Sequence, residues 1–94
     1  MAIELKSVSR NASGVSVRFR EDGHLVLTAQ AEKGDANETE QLDFLESVAE
    51  TFRKSGVCFQ SYERKVDPER KARRIDCIIV NMAQNKIPRP EAQE

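Results

Sequence analysis

Tryptophan is absent from these 94 residues, which hold one tyrosine, one histidine, two cysteines and four glycines. No stretch approaches the roughly 18 consecutive apolar residues of a membrane span, which excludes a spanning helix. Met1 to Lys6 show neither the apolar core nor the small-residue cleavage site of a secretory leader, so no signal peptide is expected. Cys58 and Cys77 then read as free thiols in a reducing compartment, and the expected location is cytoplasmic. Neither net charge sign dominates: 15 Lys and Arg face 16 Asp and Glu.

What is present is a lean, highly charged chain, 38% apolar and 33% charged. That size suits one small α+β domain, expected over residues 1–87, with Pro88 and Pro90 opening a disordered tail at 88–94. The neutral total conceals segregation. Residues 31–52 carry seven acids against Lys33 alone. Residues 53–74 carry eight cations (Arg53, Lys54, Arg64, Lys65, Arg70, Lys71, Arg73, Arg74) against Glu63, Asp67 and Glu69. Local fields follow such placement and not the sum.

The first third reads as an antiparallel meander of three strands. Ile3 and Leu5 alternate with charged neighbours; Val15, Val17 and Phe19 do so more clearly, and Leu25, Leu27 and Ala29 follow. The turn between the last two strands can be derived from register. A two-residue Asp22-Gly23 loop would set Arg18 beside Leu27, whereas a three-residue Glu21-Asp22-Gly23 loop pairs Val17 with Leu27 and Phe19 with Leu25. The second choice asks Gly23 for a left-handed conformation and places Ser16, Arg18, Arg20, His24, Val26 and Thr28 on the outer face.

Asn37 followed by Glu40 resembles a helix cap, and Leu42, Leu45, Val48, Ala49 and Phe52 form one helical stripe ending at Ser55-Gly56. Val57 to Glu63 reads as a fourth strand with Val57 and Phe59 inward. Asp67-Pro68 announces a C-terminal helix, on which Ala72, Ile75, Ile78, Ile79, Met82 and Ala83 share a broad face. A rival strand over 74–80 rests on the β-formers Ile75, Ile78, Ile79 and Val80; the helix is preferred for its cap and for recurrence through Met82. Both helices are expected on one sheet face. The expected core is Ile3, Leu5, Val15, Val17, Phe19, Leu25, Leu27, Leu42, Leu45, Val48, Phe52, Phe59, Ile75, Ile79 and Met82.

The candidate contact residues are charged. On the expected second helix Arg70, Arg73 and Arg74 lie opposite the isoleucines, with Asp67 and Glu69 as i,i+4 partners for Lys71 and Arg73. With Arg64 and Lys65 they would contact phosphates, and Arg18 and Arg20 would extend that surface over the sheet. Only Tyr62 is expected to turn an aromatic ring outward, as a base-stacking sheet needs. Asp43, Glu46 and Glu50 form an acidic face for docking a basic partner. An ordinary solvated helix face is the plainer account of each charged stripe.

Chemistry beyond binding has little support. His24, Cys58 and Cys77 fall in separate elements without metal-ligand spacing, and the glycines match no phosphate loop. No cofactor, metal or catalytic group is expected, nor a membrane partner. The expectation is a small non-enzymatic protein that binds another protein, as a regulator, adaptor or inhibitor of the kind mobile elements and viruses carry. The alternative is a nucleic-acid-binding module using the basic 64–74 segment. A homodimer would cover the open sheet face.

Overall fold

The computed structural model describes residues 15–67 and 69–87. The elements are β1 (Val15–Phe19), β2 (His24–Ala29), α1 (Glu38–Lys54), β3 (Gln60–Asp67) and β4 (Ala72–Asn81). The strands form one antiparallel sheet in the order β1-β2-β4-β3, so the architecture is α+β. The strand expected around Ile3 and Leu5, and the tail at 88–94, lie outside the described residues.

The β1–β2 hairpin follows from its alternation. Val15 pairs with Ala29, Val17 with Leu27 and Phe19 with Leu25. The Gly23 amide donates to the Arg20 carbonyl at 3.1 Å, the Arg20 amide donates to His24, and Gly23 takes φ 86°. This is the three-residue loop that the register required.

Helix α1 forms where the apolar stripe predicts it. Leu42, Leu45, Val48, Ala49 and Phe52 are buried against β2 and β4. Asn37 occupies the cap position, but its side chain makes no capping bond; instead Asp35 Oδ1 accepts the Asn37 amide at 2.8 Å. The C-terminus is a Schellman closure. The Val57 amide donates to the Phe52 carbonyl, the Gly56 amide to Arg53, and Gly56 sits at φ 76°. Gln41, buried on the same helix, accepts the amides of Gln30 and Ala31 at 2.8 and 2.9 Å and so ends β2. Unpaired, two such donors would cost about 1–3 kcal/mol each.

Two expectations fail in the last third. The C-terminal helix expected after Asp67-Pro68 does not form: residues 72–81 are the strand β4, and the described residues contain one α-helix. The expected meander fails with it, because β4 inserts between β2 and β3. Asp67 does initiate a turn, its Oδ1 accepting the amides of Glu69 and Arg70 at 3.1 and 3.2 Å, but the turn joins two strands. With Lys71 at φ 60° the chain reverses. Period two then governs β4, and Ile78 and Val80 are fully buried while Ile79, expected in the core, is half-buried on the opposite face. Val57 and Phe59 do pack against the core, just ahead of β3. Phe59 meets Phe52 edge to face at 5.8 Å and receives Arg53 over its ring.

Candidate functional site

The site is assembled by unequal strand lengths. Pairing of β2 with β4 ends at Thr28 and Cys77, but β3 and β4 stay paired out to Asp67 and Ala72. Beyond Cys77 the two long strands therefore form a ribbon that β2 does not accompany, hereafter the arm. At its root the register steps from Tyr62↔Cys77 to Glu63↔Ile75, so Asp76 is an extra, bulged residue on β4.

Two arginines anchor the arm. Arg64, with a side chain 21% exposed, gives Nη1 to the Ala31 carbonyl at 2.6 Å and Nη2 to the Ala29 carbonyl at 3.3 Å. Its Nε meets Asp76 Oδ2 at 3.2 Å, and Nη1 lies 3.4 Å from Glu38 Oε2. Only a guanidinium fork can serve four acceptors spread over three elements and a loop. Arg74 donates to Asp43 Oδ1 and lies 3.5 Å from Glu46 Oε1, which also accepts the Ile75 amide. The Asp43 bond raises the Arg74 pKa; burial opposes the shift and the charges of Asp43 and Glu46 add to it.

The acidic stripe on α1 is thereby answered within the chain. Asp43 and Glu46 face Arg74, and Glu50 lies 3.2 Å from Lys54 in an exposed i,i+4 pair. A docking face was expected from these acids, and the fold brings two of them to its own arginine.

The remaining cations are differently placed. Arg64 and Arg74 are directly opposite one another, as are Lys65 and Arg73 one position further out. Side chains alternate along a strand, so Lys65 and Arg73 emerge on the side of the ribbon away from the two anchors. Both are exposed. Neither side chain forms a hydrogen bond or ion pair among the described residues, and the same holds for the Lys71 side chain at the turn. Arg70 lies 3.5 Å from Asp67 with its side chain 87% exposed; the Asp67–Lys71 and Glu69–Arg73 pairs expected on a helix are not made. Lys71 was missing from the expected contact residues, because it is a turn residue only once 72–81 is a strand.

On the sheet face away from α1, residues directly opposite one another form two rows. One runs Arg18, Val26, Ile79, Gln60; the other runs Ser16, Thr28, Cys77, Tyr62. Tyr62, at 52%, is the exposed large apolar residue among those described. Arg20 instead caps the hairpin by donating to Asp22, whose other oxygen receives the His24 amide at 3.2 Å and lies 3.0 Å from His24 Nδ1. Nδ1 is otherwise enclosed and has no well-aligned hydrogen-bond partner. Burial works to raise the Asp22 carboxyl, but the His24 side chain and amide and the Arg20 charge outweigh it and lower the pKa.

A recess of about 240 Å³ lies beside His24, lined by Cys58, Gln60, Ile79 and Asn81 among others. No cluster of three or more metal-ligating side chains occurs among the described residues, and no helix there is long and apolar enough to cross a membrane. No family model, curated protein or solved structure matches the chain.

Proposed function

We propose that this is a non-enzymatic binding protein whose arm contacts the phosphate backbone of a nucleic acid. The observation that carries the reading is the Lys65–Arg73 pair. Like charges directly opposite on adjacent strands destabilise a sheet. The preceding pair, Arg64 and Arg74, has the same fault but is neutralised by Glu38, Asp76, Asp43 and Glu46. Lys65 and Arg73 have no such acid among the described residues, which leaves them available to an external anion. Arg70 and Lys71 at the turn extend the cationic side.

A nucleic acid is favoured over a protein because the acidic stripe that would dock a basic protein is engaged by Arg74. A slender two-stranded ribbon also has the dimensions to lie along a phosphate backbone or within a groove. Three or four phosphate contacts give a slope of log affinity against log salt of roughly −2 to −3 for single strands.

The test is titration of labelled single strands and duplexes at two salt concentrations, with Lys65→Ala/Arg73→Ala beside wild type. The double variant should bind weakly at low salt and show a slope shallower by about 1.4. Absence of wild-type binding at low salt overturns the reading. Binding of polyglutamate in place of nucleic acid would assign the arm to an acidic protein.

A further inference from the structure

Tyr62 is the chain's single tyrosine, and its ring stands in water at the root of the arm. Its surroundings explain why. The cross-strand neighbours in its row are Cys77, Thr28 and Ser16, all small, so no side chain of that row is large enough to cover the ring. Thr28 and Cys77 meet one another at 3.7 Å and leave a low floor next to the taller row of Arg18, Val26, Ile79 and Gln60. Among the described residues the phenol hydroxyl is held by a 3.5 Å contact to Gln60 Oε1 alone. An aromatic face left open beside a trough is the arrangement on which a flat, unpaired base can stack.

Lys65 follows Tyr62 by three residues, roughly 10 Å along an extended strand. By alternation the ring and the Lys65 side chain leave β3 on opposite faces. But β3 is the edge strand of the sheet, so a flexible backbone held at Lys65 can pass round that edge and bring a nearby base to the ring. Bases in a duplex have both faces taken up by their neighbours; bases in a single strand do not. Resting on the proposal that the arm binds nucleic acid, we infer that Tyr62 is a stacking platform for an unpaired base and that the ligand is single-stranded. Stacking on a π-face tolerates any base, so the selectivity is for strandedness and not for sequence.

The composition supplies a direct probe. With no tryptophan and one tyrosine, intrinsic emission comes from Tyr62 alone. Titration with a short oligothymidylate should quench that emission in parallel with binding. Tyr62→Ala should lose roughly 5- to 150-fold in affinity while keeping the salt slope, because the phosphate contacts are unchanged. Tyr62→Phe should stay within about twofold of wild type, since stacking uses the ring face and not the hydroxyl. Circular dichroism confirms that each variant is folded. Unchanged tyrosine emission on a strand bound by the arm, wild-type affinity in Tyr62→Ala, or tighter binding of duplex than of single strand would each overturn the platform while leaving the arm's role intact. Failure of folded wild-type protein to bind any nucleic acid at low salt would instead remove the underlying reading.

Discussion

Lys65 on β3 stands directly opposite Arg73 on β4, and no carboxylate among the described residues answers either charge. The pair costs stability that a mutation can recover. Lys65→Glu converts repulsion into a cross-strand ion pair and should stabilise the fold by roughly 0.2–1 kcal/mol, read as a higher urea midpoint at unchanged m-value. The same variant should bind nucleic acid more weakly than Lys65→Ala. Gain of stability with loss of binding is what a residue kept for contact would show. A Lys65→Glu protein less stable than wild type would mean that the cation serves the fold.

Arg64 makes the opposite prediction although it is the adjacent residue. Its removal leaves Glu38 and Asp76, with side chains 12% and 25% exposed, without their cation, and strips the Ala29 and Ala31 carbonyls of a donor. Arg64→Ala should cost about 2–4 kcal/mol in chemical denaturation. Arg64→Lys should recover only part of it, since an ammonium cannot span acceptors that the planar fork reaches together. Full recovery by lysine would show that charge alone anchors the arm.

The hairpin cap gives a pH signature. Folding lowers the Asp22 pKa from its ordinary value of 3.8. The stabilisation is therefore complete above that ordinary value and is lost as pH falls through the lower folded one. Asp22→Asn should be less stable than wild type near neutrality, and the gap should close in acid. Because the site is exposed, the gap should also shrink with added salt. A gap independent of pH would mean that the Asp22 side chain acts by hydrogen-bond geometry and not by charge.

Legibility followed the range over which each signal acts. The β1–β2 hairpin could be read because Gly23 and the inward alternation of Val17, Phe19, Leu25 and Leu27 agree on one register. Helix α1 was equally clear, since its stripe and the Ser55-Gly56 stop reinforce each other. In β4 the local signals conflict. Ile75, Ile78, Ile79 and Met82 satisfy a helical period, while Ile78, Val80 and Met82 satisfy a period of two. Asp67 before a proline begins a turn as readily as a helix. The division of the basic residues was illegible for a further reason. Whether a cation meets Asp43 or solvent depends on the β3–β4 register and on where α1 crosses β4, neither of which the segment itself encodes. Arg74 and Arg73, neighbours in sequence, end as an anchor and a contact.

Adjacent isoleucines decide the strand directly. A helix with Ile75 and Ile79 inward would also keep Ile78 near the core, making the two positions comparable. In the strand, Ile78 has no exposed surface and packs beneath α1, whereas Ile79 lies on the other face between Val26 and Gln60. Ile78→Ala should therefore cost about 2–5 kcal/mol, as truncation of a fully enclosed side chain does. Ile79→Ala should cost under about half as much, because its site is already partly open to water. Ile78→Thr and Ile79→Thr sharpen the contrast: threonine suits either strand position by shape, but at 78 its hydroxyl enters the apolar core and at 79 it reaches solvent. Thermal or urea denaturation of the four variants gives the comparison. Equal losses at the two positions would contradict the alternation of β4.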